Sequence, residues 1–230
     1  MKNNLKLPTI VIYDTEWTSW PRMPKSSTSG QHRELIQIAA RKWTLGDAWQ
    51  NGEMFNLYIK PQINPTLSPF IKRLTGIKQS QVDRAPAAHI ALKKFAKFVG
   101  AHNAWSNGND INVLAETAGL QKFILPVAVK SFFSLQPDIF LKIQDVIGFF
   151  NWKEFHSGNL YKLLKIKLPT DDMHNAMHDV DSLCATINRL QELGIDMSYL
   201  WKSNPPNDPN NFKLSPKNLK LYEQQKTSKN

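Results

Sequence analysis

The sequence predicts an α/β domain, a mixed sheet of five strands flanked by helices, and three observations carry that prediction. Three β-branched and aromatic runs succeed one another in the first 60 residues, with short polar connections between them. The apolar spacing then changes to that of helices, with two short strand-like runs set among them. Finally, residues 175–193 keep a helical apolar stripe along one long segment.

The elements follow in order. Thr9–Trp17 (TIVIYDTEW) is a near-continuous apolar run, the pattern of a buried strand, and residues 21–31 form a polar loop containing Pro and Ser. Residues 34–44 (ELIQIAARKWT) and 54–60 (MFNLYIK) are two further strands, and the short connections make the three an antiparallel meander. Residues 69–74 and 87–99 have helical spacing, the second through Ile90, Leu92, Phe95, Ala96 and Val99. A short strand at 102–105 leads to a helix over 109–118, stopped by Gly119. Residues 127–133 make the fifth strand, and 137–146, 159–164 and 175–193 are helices. From Trp201 the composition turns to Pro, Asn and Lys with no apolar period. The expected organisation is one domain over residues 1–200 and a basic tail over 201–230.

Composition narrows the function classes. With 41% hydrophobic and 21% charged residues the chain is of globular type. Its single cysteine, Cys184, excludes an internal disulfide and a cysteine-based zinc site, and fits a reducing compartment. The apolar run near the start is shorter than a signal-peptide core, and no run reaches the length of a membrane span. A soluble cytoplasmic protein with no membrane partner is the expectation. The net charge of +10 and pI near 9.6 favour a polyanionic partner, nucleic acid above all, although lysines also serve solubility.

The acidic residues are few and arranged. Asp14 and Glu16 stand two apart on the first strand, so both side chains leave the same face. Two adjacent carboxylates repel unless a cation lies between them, although Asp-x-Glu is also an ordinary solvated strand end. Asp110, in WSNGND, begins a helix, where a carboxylate also satisfies free backbone N–H groups. Asp179, in HNAMHDVDSL, flanks the apolar stripe Ala176, Val180, Leu183, Cys184, Ile187 and Leu190, whereas Asp181 points away as a solvated neighbour. His174 precedes Asp179 by five residues, about 140° around a helix, so both reach one site only if His174 lies on the loop before the helix. Pro169, Thr170, Asp171 and Asp172 are loop and capping types consistent with that placement.

Taken in series, Asp-x-Glu, an Asp at a strand-to-helix corner and His-x4-Asp at a late helix resemble the DEDDh 3′→5′ exonuclease family. DTEWT (residues 14–18) resembles its first motif, WSNGND its second and HNAMHDVDSL its third. Residues 55–86, from FNLYIKP through LTGI to DRAP, resemble the histone-mRNA and small-RNA exonuclease subgroup and its bacterial relatives. Ala39 stands where that subgroup has Gly, and WSNGND is one residue longer than the common form. The resemblance covers residues 9–193.

The resemblance implies a ribonuclease H-like fold. It also implies two Mg²⁺ or Mn²⁺ ions held by Asp14, Glu16, Asp110 and Asp179, with His174 as general base for the attacking water. The substrate would be RNA or DNA with a free 3′ end, RNA modestly favoured, and the products nucleoside 5′-monophosphates. Thr18, Leu74, Thr75, Gly76 and Ile77 would lie against the terminal nucleotide. Lys72, Arg73, Lys78, Lys162, Lys165 and Lys167 are phosphate-contact candidates, and Trp17, Trp20 and Trp105 candidates for base stacking or core packing. The alternatives are a ribonuclease H-like endonuclease, which would not need His-x4-Asp, and a catalytically silent nucleic-acid-binding module, which would be expected to have lost an acid.

Overall fold

Strand β1 (Thr9–Trp17) forms the centre of a five-stranded sheet in the computed structural model, which describes residues 7–21, 30–108, 110–148, 150, 154–169, 171 and 174–202. With β2 (Leu35–Thr44), β3 (Met54–Tyr58), β4 (Asn103–Ser106) and β5 (Phe132–Ser134) the spatial order is β3-β2-β1-β4-β5. The meander β1–β2–β3 is antiparallel, and β4 and β5 extend it in parallel on the other side of β1. The helices are α1 (Pro69–Thr75), α2 (Gln79–Asp83), α3 (Ala88–Val99), α4 (Asp110–Leu120), α5 (Gln136–Ile147), α6 (Leu160–Leu163) and α7 (Ala176–Glu192). None of the helices among the described residues is long and apolar enough to cross a membrane.

The near-continuous apolar run of β1 is explained by helices on both faces. Ile10 and Ile12 point to the layer of α5, α6 and α7, while Val11 and Tyr13 point to α3 and α4. Alternation continues into the acidic end of the strand. Asp14 and Glu16 therefore leave on the α7 side, and Thr15 on the α4 side.

Several boundaries differ from expectation for physical reasons. Val127 is buried beneath α3 and α4 as loop and Val129–Ser131 is a 3₁₀ turn, so an apolar run expected as strand pairs only at its end. Helix α4 runs through Gly119 to Leu120. The chain turns instead at Lys122, whose φ of 55° lets the Phe123 N–H donate to the Ala118 carbonyl. Helix α2 has no apolar period, burying only Val82, and was not expected. Trp201, placed by its composition in the tail, belongs to the core: its ring meets Trp43 edge-on at 5.1 Å and its Nε1 donates to the Trp43 carbonyl. The domain therefore includes Trp201. The tail from residue 203, most of the loop expected at 21–31, and Thr170 and Asp172 lie outside the described residues.

Candidate active site

Four segments bring Asp14, Glu16, Asp110, His174 and Asp179 to one pocket of about 310 Å³. β1 supplies Asp14 and Glu16. The β4–α4 corner supplies Asp110, the first residue of α4, whose Oδ1 accepts from the Thr15 backbone N–H (3.1 Å) and hydroxyl (2.6 Å). The alternation of β1 thus serves twice, presenting two carboxylates on one face and tying a third through the residue between them.

The first turn of α7 supplies Asp179. That turn is positioned from β2: Gln37, paired across the sheet with Glu16, accepts from the Ala176 N–H through Oε1 and reaches the Asn175 side chain through Nε2. Asn175 caps the helix by accepting from the Met177 N–H, an ordinary Asn N-cap. His174 lies just before the cap, as expected, with a left-handed φ of 62°. One donor atom each from Glu16, His174 and Asp179 lie within 4.8 Å of one another.

The electrostatics of the four acids are unfavourable without a cation. Burial raises Asp14 well above the ordinary carboxyl range, and Asp110, Asp179 and Glu16 raise it further. Glu16 is raised by burial, then by Asp179 and Asp110. Asp110 is also raised by burial, against the opposing hydrogen bonds of Thr15 and Ser106. Asp179 is pushed up to about 7, chiefly by burial. The described lining holds no lysine or arginine, and Asp179 Oδ1 is buried without a hydrogen-bond partner. Crowded carboxylate oxygens, one of them orphaned, fit a hard divalent cation. Burial, and then the neighbouring His156, lower the His174 pKa, the direction that favours an imidazole able to accept a proton.

Comparison with known proteins shows the family. The exonuclease family model RNase_T matches residues 11–186, a span holding all five residues. The chain belongs to the RNase T exonuclease family. This family depends on divalent metal. Among curated relatives, ERI1 exoribonuclease 2 of Danio rerio is 38% identical over 90 residues, 39% of this chain and 15% of that protein. The Xenopus laevis ERI1 exoribonuclease 2 is 27% identical over 220 residues, 90% of this chain and 28% of that protein. The chain thus spans less than a third of the length of either. The nuclease domain of 3′hExo, a DEDDh member solved with rAMP, superimposes with a TM-score of 0.67 at 20% identity, over 82% of this chain and 94% of that one. E. coli exonuclease I, solved with a dA16 oligonucleotide, gives 0.57 at 17% identity, over 84% and 42%. Both share the ribonuclease H-like fold.

The other expected residues are distributed unequally. Of Leu74, Thr75, Gly76 and Ile77, only the partly exposed Leu74 lines the pocket, with Ile71 and Trp17. Thr75 turns inward to the Ile71 carbonyl, Gly76 ends α1 with φ 70°, and Ile77 packs with Ile36, Leu67 and Val82. Thr18 is buried beside the pocket: its hydroxyl donates to the His32 carbonyl and accepts from the Glu34 N–H. Trp105 is a core ring stacked on Phe133 at 4.6 Å, and Lys162 is paired with Asp171 at 2.7 Å. Asp181, expected in solvent, is bound by the buried Arg41 at 2.7 Å. Asn107, Gln136, His156 and Ser157 line the pocket and were not singled out by sequence. The polar His156–Ser157–Gly158 step just before an apolar helix was the available signal.

Proposed function

We propose that the chain is a 3′→5′ exonuclease that removes nucleoside 5′-monophosphates from a free 3′ end, RNA in preference to DNA, with two Mg²⁺ or Mn²⁺ ions. The observation that carries the reading is the meeting of four buried carboxylates and one imidazole, from separate elements, in a single pocket. Likeness to proteins named exoribonucleases supports the RNA preference.

Asp14, Glu16, Asp110 and Asp179 would hold the ions. Bound there, divalent ions supply Lewis acidity toward the phosphate and the departing 3′-oxygen. His174 takes a proton from the attacking water on a ring nitrogen. The water oxygen bonds to phosphorus, the P–O3′ bond breaks, and the departing 3′-oxygen takes up a proton from solvent, leaving the shortened strand with a 3′-hydroxyl. Leu74, with Ile71 and Trp17, gives the terminal base an apolar surface, and the Thr18 hydrogen bonds hold the end of β1 in place beneath it.

The test is hydrolysis by the full chain of matched linear RNA, linear DNA and circular RNA, in EDTA and after Mg²⁺ or Mn²⁺ is restored. The reading predicts no turnover in EDTA, recovery with metal, faster loss of linear RNA than DNA, and intact circles. Turnover in EDTA, or equal cutting of circles, would refute it.

A further inference from the structure

The proposed base, His174, stands outside helix α7, directly before its N-cap Asn175. Its left-handed φ is one that a side chain with Cβ adopts at a cost. Among the described residues no side-chain hydrogen bond orients its ring. What does contact the ring is His156, whose imidazole lies face to face with it at 5.5 Å between centroids and 15° between planes.

His156 is by contrast firmly placed. Its carbonyl accepts from the Asn159 N–H at 2.9 Å, closing the 3₁₀ turn Ser157–Asn159. That turn is fastened to α7, since the Ser182 hydroxyl donates to the Ser157 carbonyl at 2.6 Å and His178 Nε2 lies 3.3 Å from the Gly158 carbonyl. Gly158 backs directly onto Asp179, where a Cβ would fall 2.3 Å from Oδ1. The turn therefore refers the position of His156 to the helix that carries Asp179.

We propose that His156 is a positioning residue: its ring is the platform that holds the His174 imidazole at the angle needed to reach the attacking water. The proposal rests on the reading of His174 as base. It uses the face of His156 rather than its nitrogens, and His156 Nδ1 is indeed buried without a partner. Misplacing a catalytic group by about 1 Å costs up to about 100-fold in rate. Loss of the platform should slow turnover on that scale without altering substrate or metal binding.

The experiment compares His156→Phe, His156→Leu and His156→Ala in the full chain on a 5′-labelled RNA, alone and combined with His174→Ala. Calorimetric Mn²⁺ titration and thermal melting accompany the kinetics. His156→Leu and His156→Ala should lower kcat about 10- to 100-fold with KM and Mn²⁺ affinity unchanged. His156→Phe should recover most of the rate. In the His174→Ala background, losing His156 should cost less than about twofold, because it acts through the missing ring. Phe and Leu both fill the site, so their contrast reads the aromatic face even if the Ala variant fails to fold. A Phe variant as slow as Leu, a loss that persists without His174, or weakened Mn²⁺ binding would overturn the proposal. A slow His174→Ala beside full-rate His156 variants would overturn it alone. A full-rate His174→Ala would overturn the base assignment and this proposal with it.

Discussion

Replacing Asp179 by Asn should stabilise the metal-free protein while abolishing its activity, and the stabilisation should depend on pH. Asp179 is 5% exposed, and its pKa rises on folding from an ordinary 3.8 to about 7, mainly through burial. A carboxyl raised on folding contributes stability below its unfolded pKa and loses it as pH climbs through the folded value. Wild-type protein in EDTA should therefore lose up to about 4 kcal/mol at this residue between pH 4 and pH 8. Asn, of the same shape and without charge, escapes that loss. At about 2–4 °C per kcal/mol for a domain of this size, its melting temperature should exceed wild type by about 10 °C at pH 8, and by little at pH 4. His156 and His174, lowered by burial, act with the opposite sign below their ordinary 6.5, but identically in both proteins, so the difference cancels them. Thermal melts by circular dichroism in EDTA across pH 4–8 decide it. Asn at or below wild-type stability at pH 8, or a difference constant with pH, would refute the reasoning. Saturating Mg²⁺ should raise wild type more than the variant.

The remaining predictions concern neighbouring positions. His174→Ala should lower kcat by about 10²–10⁴-fold and remove the acid limb of the rate profile, whose midpoint lies below 6.5 because burial lowers this imidazole. His178→Ala should keep most of the activity, because His178 does not line the pocket and its Nε2 lies at the Gly158 carbonyl, and the reverse ranking in steady-state assays would misplace the base. Gly158→Ala sets a methyl against Asp179 Oδ1, so Mn²⁺ affinity measured by calorimetry should fall, and unchanged affinity would show that the turn yields instead. A chain ending at Lys202 should melt like the full chain, whereas one ending at Leu200 loses Trp201 and should be about 3–5 kcal/mol less stable in urea unfolding.

The site was legible in the sequence because its signals are local. Period-two spacing places Asp14 and Glu16 on one face, and the helical angle between His174 and Asp179 forces His174 onto the preceding loop, where it lies. The sheet was legible for the same reason, since β1 and β2 carry long apolar runs. What the sequence hid depends on contacts between distant segments. Arg41 meets Asp181 across 140 positions, and Gln37 reaches Asn175 across 138. Nothing local distinguishes either from a solvated side chain. Trp201 was assigned to the tail because its neighbours are Pro and Asn, while its burial depends on Trp43. His156 escaped notice because a lone histidine gains meaning only when a second ring is set against it.

The central claim, that this pocket hydrolyses nucleic acid from its 3′ end, is tested most directly by one time course. RNA labelled at its 5′ end, with either a 3′-hydroxyl or a 3′-phosphate, is incubated with Mg²⁺ and wild-type protein or Asp14→Ala, and products are resolved at single-nucleotide length. A ladder shortening one nucleotide at a time from the 3′-hydroxyl, slowed by the 3′-phosphate and absent in Asp14→Ala, is the predicted result. A fixed internal cut, or a ladder that Asp14→Ala still produces, would contradict the account.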